Sequence, residues 1–347
     1  MTEKRGHRRC GLTKLGSALA LSAALLLTGC AEGDPSLSPT ATESPTVLMV
    51  YVPAEPLDAA VTEAYIQQLE TGPFSVQRVV AQDVDQPLFF NETEVDLTLQ
   101  DLRQGATTMA VLRSGQVLNT LDPNTLLIPV TSPTQTPDPS ATPHPWPSTA
   151  TEKDTQLSQT LPITLRAAEP SQGQRGVRVL TGPAVKTSLE LDSNDAVAEQ
   201  CPTLTAFAQD GLPAAQVQAE LAALYKCWPE EITAHGLAAV LRSAMVGDAQ
   251  LALIDSANPA GYDKGLANAF TDQSILRADK YRPLFSTSAL SDEQIQRATD
   301  LIRPVSERLS SEELSNLFRY VNEEPTMTPA EAATWWLQRQ GLLPEEN

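Results

Sequence analysis

The sequence has few of the residue types that most often carry catalysis or metal binding. Its 347 residues include 3 histidines and 4 cysteines, and 5% of them are aromatic. It contains no Gly-x-Ser-x-Gly elbow, His-Glu-x-x-His helix or phosphate-binding glycine loop. His7 and His144 lie in segments of unusual composition, and His235 lies in a stretch with helical spacing. We therefore expect no catalytic residues, no metal site and no cofactor, and the sequence argues against an enzyme.

Positive charge is also scarce. The chain has 24 Lys and Arg against 43 Asp and Glu, which gives a net charge of −19. Five basic residues and one acidic residue fall within residues 1–29, so a chain cleaved after Gly29 would carry −23. Because nucleic acids are polyanions, this balance excludes them as expected partners. An acidic surface keeps an exported domain soluble, which explains the charge without a special ligand.

The N-terminal segment has an uncharged apolar run at residues 15–27, which is shorter than the roughly 20 residues that span a bilayer. Basic residues precede this run, and Leu27-Thr28-Gly29-Cys30 follows it. This order is typical of a secretory signal peptide, and the last four residues resemble the bacterial lipobox. We expect removal of residues 1–29, lipidation of Cys30 and anchoring to the outer face of the cytoplasmic membrane. The alternative is an ordinary signal peptide with an incidental cysteine.

Two cysteines, Cys201 and Cys227, remain for the exported domain. An oxidising compartment favours a disulfide between them. A reactive thiol or a metal pair is the weaker alternative, because His235 is the one histidine in their neighbourhood.

Two segments contain little that a core could bury. Residues 30–46 are predicted to be a disordered tether between the membrane and the folded part. Residues 131–157 carry six prolines among Ser and Thr, and we predict a long loop without helix or sheet. A linker between two domains is the alternative for this second segment.

The remaining sequence alternates between strand and helix patterns. Residues 47–52 and 74–80 read as strands around a helix at 58–69, an order that predicts a parallel sheet with helices on its faces. Helices are predicted at 214–226 and 234–245, followed by a strand at 249–254. The C-terminal part is predicted to be helical, because three helix-capping pairs occur there: Ser291 with Gln294, Ser310 with Glu313, and Thr328 with Glu331.

This order of elements resembles the solute-binding proteins of osmoprotectant ABC transporters, the family that binds glycine betaine, choline and carnitine. The likeness runs from Val47 to Leu343 and is clearest at the C-terminus. The segments that carry it are residues 283–290, 292–308, 309–314, 329–337 and 341–343, with weaker matches at 102–115, 180–191 and 247–259.

The resemblance implies an α/β type II periplasmic-binding-protein fold, in which two α/β lobes are joined by two hinge crossings. Lobe 1 would comprise residues 47–181 plus 279–347, with 131–157 as an inserted loop, and lobe 2 residues 182–278. The crossings are expected near residues 180–184 and 276–281.

In this family a quaternary ammonium group is held against aromatic faces. The positions where the family usually has its tyrosines are here Arg113, Leu189, Asp255 and Asp279. Tyr281, Phe270 and Tyr262 lie near these positions and are alternative aromatic partners. The resemblance therefore supports the scaffold, and we do not carry betaine binding over to this chain.

A mixed polar set stands in the segments that match the family's ligand site, and such a set suits a small polar solute. The candidate ligand-binding residues are Arg113, Ser114, Lys186, Thr187, Ser188, Asp255, Ser256 and Asp279. A quaternary amine stays open, because Asp255 and Asp279 could attract a cation. The implied partners are the solute, an ABC permease and the membrane. An accessory lipoprotein that retains the scaffold without binding solute is the alternative function.

Overall fold

The computed structural model describes residues 45–81, 91–123, 149–272, 275–323 and 326–345. The predicted signal peptide, Cys30, the tether up to residue 44 and residues 124–148 lie outside the described residues. The described residues belong to one compact unit. No helix within these ranges combines the length and apolar character that crossing a bilayer requires.

Strands and helices alternate along the described chain. The strands are β1 (Thr46–Val52), β2 (Phe74–Val80), β3 (Met109–Arg113), β4 (Leu165–Ala167), β5 (Gln174–Thr181), β6 (Ala206–Gln209), β7 (Ile232–His235), β8 (Leu251–Asp255), β9 (Ala267–Asn268) and β10 (Ile275–Ser286). The helices are α1 (Pro56–Glu70), α2 (Glu92–Gln104), α3 (Ser114–Leu121), α4 (Ala150–Thr160), α5 (Pro183–Ser188), α6 (Asn194–Gln200), α7 (Ala214–Tyr225), α8 (Leu237–Val246), α9 (Ala260–Asp263), α10 (Asp292–Arg308), α11 (Ser311–Asn322) and α12 (Pro329–Arg339). A single 3₁₀ turn, Cys201–Thr203, follows α6 in this part of the chain.

One continuous sheet connects two α/β lobes. Its strand order is β2-β1-β3-β10-β5-β8-β6-β7, with β4 paired to β10 and β9 to β5. In lobe 1, β1 is parallel to β2 and β3; in lobe 2, β6 is parallel to β7 and β8. The long strand β10 pairs with β3 through one half and with β5 through the other. This is the predicted α/β type II periplasmic-binding-protein fold, which is confirmed.

Each lobe has apolar cores on the faces of its part of the sheet. In lobe 1 the largest core packs α1 against the three C-terminal helices α10, α11 and α12. A smaller core lies under α2, α3 and α4. In lobe 2, one core gathers around α7 and β8 and another around α8. Lobe 1 is therefore built from both ends of the described chain, because the C-terminal helices cover the helix that follows the first strand.

The C-terminal helices begin where the capping pairs predict. Full capping boxes occur at Ser291 with Gln294 and at Thr328 with Glu331. Ser310 also accepts the backbone N–H of Glu313, but the Glu313 carboxylate instead accepts the indole N–H of Trp336 at 2.9 Å. Trp336 is fully buried, so this hydrogen bond satisfies a donor that has no water to bind.

Two sequence-based assignments are wrong. Residues 131–157 were predicted to hold no helix, yet α4 begins at Ala150, where Thr149 and Glu152 form a capping box beyond the last proline of the segment. His235 was assigned to a helix but ends β7, which pairs with β6, and α8 starts after Gly236. The His235 ring packs on Phe207 with centroids 4.2 Å apart.

The residues at which one lobe passes into the other remain a proposal. The second predicted crossing, near residues 276–281, falls within β10 where its partner changes from β5 to β3. From Val177 to Thr181, β5 pairs with strands of lobe 2, whereas Gln174 and Arg175 pair with β10. We therefore propose that the first crossing lies between Gln174 and Val177, earlier than the boundary after Thr181 that the sequence suggests.

The predicted disulfide between Cys201 and Cys227 is confirmed. The two Cα atoms are 5.2 Å apart and the residues are separated by 26 positions. Both cysteines are fully buried in the lobe 2 core. The bond joins the turn after α6 to the segment after α7, and so closes the loop that contains β6 and α7.

Candidate functional site

The four central strands bring charged residues together where the lobes meet. In the pairing of β3 with β10, Arg113 lies opposite Tyr281. In the next pairing, Asp279 of β10 lies opposite Arg175 of β5. Asp255 ends β8, whose pairing with β5 places it near Arg175. Successive strands of one sheet therefore deliver a row of charges to the junction of the lobes.

Arg175 is the centre of this row. Its guanidinium donates to Asp255 through Nε at 3.0 Å and through Nη2 at 2.6 Å. Nη1 donates to Glu55 at 2.9 Å, to Asp58 at 2.6 Å and to the hydroxyl of Tyr281 at 3.2 Å. The side chain is 2% exposed. Burial opposes the charge, but Asp255 and Glu55 above all raise the pKa of Arg175 well above its ordinary value, so the guanidinium stays charged.

Glu55 and Asp58 come from lobe 1, at the N-terminus of α1 directly after β1. Glu55 is the N-cap and accepts the backbone N–H of Asp58 at 2.8 Å. A helix N-terminus carries partial positive charge, which favours carboxylates there. Burial raises the pKa of Glu55 despite the charge of Arg175. Burial acts in the same direction on Asp58, but the charges of Arg113 and Arg175 outweigh it and lower the Asp58 pKa.

Arg113 and Ser114 stand at the join between β3 and α3. Arg113 is 1% exposed, and its Nη2 lies 3.8 Å from Asp58 Oδ2. Ser114 donates to Asp154 Oδ1 at 2.9 Å and is fully buried. Arg113 therefore belongs to the charged row, whereas the hydroxyl of Ser114 is engaged within lobe 1.

Asp255, Ser256 and Asp279 are buried at the same junction. Asp255 holds Arg175, as described above, and Ser256 accepts the backbone N–H of Gly176 at 2.9 Å. Asp279 Oδ1 lies 3.6 Å from Lys153 Nζ. A Cβ atom on Gly115 would clash with the carboxylate of Asp279, so a glycine is required at that position. Asp279 thus packs against α3 and α4 of lobe 1.

The three predicted residues of α5 bond elsewhere. Lys186 Nζ donates to the backbone carbonyl of Asn268 at 3.1 Å. Thr187 and Ser188 donate to backbone carbonyls of their own helix region, those of Pro183 and Val185. The structure therefore does not bring these three side chains into the charged row, and their ligand role stays a prediction.

A small open pocket lies beside the charged row. Its walls come from lobe 1 and from β10, and six of its eleven lining residues have charged or amide side chains. The lining residues are Pro53, Glu55, Asp58, Asn91, Glu94, Val95, Val111, Leu112, Arg113, Gln116 and Tyr281.

Tyr281 is the one aromatic residue among these lining residues. Its hydroxyl donates to Asp58 at 2.6 Å. The other two candidates lie in lobe 2 and face different neighbours. Phe270 stacks on Tyr225 in the core at 3.9 Å between centroids. Tyr262 is 42% exposed and carries the guanidinium of Arg178 over its ring at 4.8 Å. The described lining therefore offers oxygen acceptors and charge rather than an aromatic cage.

A second group of buried charges lies where β10 is irregular. Arg277 has a φ of +53° at the break in the pairing between β10 and β5. Its backbone N–H donates to Glu220 of α7 at 2.8 Å. Glu220 is 1% exposed, and burial raises its pKa above the ordinary value. Lys153 of lobe 1 donates to the carbonyl of Ala278 at 2.9 Å on the same strand.

Replacing Glu220 by Gln should raise the free energy of unfolding at pH 7. A carboxyl whose folded pKa exceeds its unfolded value of about 4.3 costs stability as the pH rises through the folded pKa. Glutamine keeps an oxygen acceptor for Arg277 and carries no charge. Urea unfolding at pH 7 and pH 4 measures the effect, and the advantage of Glu220→Gln should vanish at pH 4. Glu199→Gln, at an exposed position of α6, is the control. A Glu220→Gln protein less stable than wild type at pH 7 would contradict the expectation.

Three residues of the charged row escaped the sequence-based reasoning: Glu55, Asp58 and Arg175. Two signals could have found them. Glu55 and Asp58 directly follow a predicted strand and open a helix, and ligands of open α/β sheets bind at the carboxyl ends of strands. Arg175 has no comparable signal, because its role depends on which strands are neighbours in the sheet.

Comparisons with known proteins support the fold. No family model matches the sequence, and no curated protein matches it. Among solved structures, it is similar to a glycine betaine/carnitine/choline ABC transporter protein, with 11% identity over 86% of this chain and 99% of the other, at a TM-score of 0.61. Apo YehZ from Escherichia coli is 13% identical over 86% of this chain and 100% of its own, at 0.56.

A third similar structure is an ABC-transporter choline binding protein in complex with choline. It is 12% identical over 85% of this chain and 89% of its own, at a TM-score of 0.50. At these identities the likeness concerns the fold. The first and third structures carry names of the osmoprotectant type, and the likeness supports the type II periplasmic-binding-protein fold described above.

Proposed function

We propose that this protein is an extracytoplasmic solute-binding lipoprotein of an ABC importer, similar to the osmoprotectant type but with an altered pocket. The observation that carries the proposal is the pocket that lobe 1 and β10 form beside the charged row, at the edge of the junction between the lobes, because ligands bind preferentially near domain interfaces. In this proposal Cys30 carries the lipid anchor, and the lobes present the solute to a membrane permease after closing around it.

The chemistry of the pocket favours a small polar solute with a positively charged group. Three carboxylates, those of Glu55, Asp58 and Glu94, line it together with one guanidinium, that of Arg113. Glu94 accepts hydrogen bonds from the Tyr51 hydroxyl at 2.6 Å and from Asn91 at 3.0 Å, which fixes its orientation. A zwitterion suits this arrangement, because its cationic end can face the carboxylates while its anionic end faces Arg113.

Thermal unfolding in the presence of candidate solutes tests the proposal. For the soluble chain from Glu32 onward we expect at least one of betaine, choline, carnitine or a polar amino acid to raise the midpoint. A ligand at 100 times its dissociation constant stabilises by about 2.7 kcal/mol. Gln116→Ala, in the pocket wall, should weaken the shift. Asn119→Ala, on the same helix and not among the lining residues, should leave it intact.

A second candidate function is supported by the same charged row. Arg175 already pairs with Glu55, Asp58 and Asp255. A lipoprotein that keeps the scaffold and acts as an accessory or interaction protein would have no use for an open cation site. If none of the solutes shifts the midpoint, and the same protein is shown to be folded, this second function is favoured over transport.

A further inference from the structure

Arg175 makes contacts that a bound ligand would be expected to make. Its guanidinium reaches two carboxylates of lobe 1, Glu55 and Asp58, and one of lobe 2, Asp255. A fourth acceptor, the hydroxyl of Tyr281, comes from the strand that connects the lobes. At least five hydrogen bonds of 3.2 Å or less therefore converge on one planar cation from both sides of the junction.

The contacts of Arg175 differ in whether they join the two lobes. Asp255 ends β8 of lobe 2, and Arg175 stands at the start of β5, the strand that enters lobe 2, so their bond does not reach lobe 1. The bonds to Glu55 and Asp58 cross to lobe 1. Another ion pair between α11 and α9, Arg319 with Asp263, also crosses, but its side chains are 40% and 51% exposed, and exposed pairs are screened by water. The buried contacts of Arg175 with Glu55 and Asp58 are therefore better placed than this exposed pair to hold the lobes together.

We propose that Arg175 is a resident cation. Its guanidinium occupies a cation-binding site made of Glu55, Asp58, Asp255 and Tyr281, and holds the two lobes closed before any solute binds. This inference rests on the proposed function, because it takes the junction between the lobes to be the solute-binding site. It adds how binding at that site is regulated. Solute binding then requires either that the lobes open against this tie or that the solute displaces Arg175.

The site also selects a class of cation. The four groups of the site accept hydrogen bonds through oxygen atoms. They therefore suit a cation that has N–H donors, such as the planar fork of a guanidinium. A quaternary ammonium group has no N–H to donate and is held by aromatic faces instead. With one aromatic residue among the four groups, the vacated site should accept guanidinium or a primary ammonium and should reject choline.

Chemical rescue of an Arg175→Ala variant tests the resident-cation site in the full-length protein. Guanidinium chloride at low millimolar concentration, well below denaturing levels, should raise the unfolding midpoint of Arg175→Ala relative to equal sodium chloride. It should not raise that of wild type. Choline chloride at the same concentration should raise the midpoint of Arg175→Ala no more than it raises that of wild type. Arg282→Ala is the matched control, because Arg282 pairs with the single carboxylate of Asp154 within lobe 1, and its rescue should be at least tenfold weaker.

Solution scattering tests the tie between the lobes. Arg175→Ala should have a larger radius of gyration than wild type, and guanidinium should restore the smaller value. The double variant Glu55→Gln/Asp58→Asn, which keeps Arg175, should open in the same way and should not respond to guanidinium. Asp255→Asn removes the charge from an acceptor that lies equally close to the same guanidinium. Because Asp255 does not belong to lobe 1, the lobes should stay closed in this variant.

Two outcomes would overturn the inference: radii of gyration equal to wild type in both opening variants, or opening in Asp255→Asn to the same extent as in Glu55→Gln/Asp58→Asn. Should Arg175→Ala not fold, the double variant and Asp255→Asn still decide the question. The scattering readout uses no candidate solute. A failed solute screen would therefore leave the tie intact, and a failed scattering test would leave the solute proposal intact.

Discussion

Replacing Asp58 by alanine is expected to lower the free energy of unfolding at pH 7 by about 3–5 kcal/mol, the usual cost of removing one partner from a buried ion pair. Asp58 accepts from Arg175 and from the Tyr281 hydroxyl, both at 2.6 Å, and faces Arg113 at 3.8 Å. With alanine at this position, the buried guanidiniums of Arg175 and Arg113 have one carboxylate fewer, and the buried hydroxyl of Tyr281 loses its acceptor. Urea unfolding measures the loss.

The pH dependence gives this prediction a second test. The folded pKa of Asp58 is lowered. Its contribution is therefore fully present above the unfolded pKa of about 3.9 and is lost as the pH falls through the folded value. The difference between wild type and Asp58→Ala should shrink below about pH 4.

Asp300→Ala is the control for Asp58→Ala, because Asp300 pairs with Arg303 on the exposed face of α10. It should change stability by less than about 0.5 kcal/mol. Equal losses of unfolding free energy in the two variants would show that the Asp58 contacts stabilise the protein no more than an exposed ion pair does.

The C-terminal helices show what local sequence can predict. Capping pairs are local, since the hydroxyl of residue 291, 310 or 328 bonds a backbone N–H three positions later. The sequence therefore predicts the starts of α10, α11 and α12, and it predicts β1, α1 and β2 from their order. The helix α4 was missed because its capping box directly follows a proline-rich stretch that dominates the local composition.

The site could be predicted less well because its partners are brought together by the sheet. Arg113, Asp255 and Asp279 were found through the family resemblance, and each lies on one of the four central strands. Arg175 was missed because its contacts lie at separations of 80 to 120 positions. A charge pattern read along the chain does not reveal which carboxylates a given arginine will meet.

Removing the disulfide should cost about 3–4 kcal/mol of unfolding free energy. Cys201 and Cys227 are 26 positions apart, and closing a loop of that length restricts the unfolded chain by roughly this amount in the chain-entropy model. The Cys201→Ala/Cys227→Ala variant should therefore unfold at lower urea concentration than the oxidised wild type. Its alanines also leave a small space in the lobe 2 core, since both sulfur atoms are fully buried.

Unfolding in the presence of a reductant distinguishes the effect of losing the disulfide from the effect of the space that the alanines leave in the core. Unfolding in dithiothreitol should lower the midpoint of wild type towards that of the double alanine variant, which itself should not respond. Because lobe 2 holds the bond, the buried contacts of Arg175 with Glu55 and Asp58 should survive reduction in the folded protein. The radius of gyration should then stay at the oxidised value until the chain unfolds. A wild type whose midpoint is indifferent to reductant would show that the bond contributes nothing to stability, and would remove one argument for an oxidising compartment.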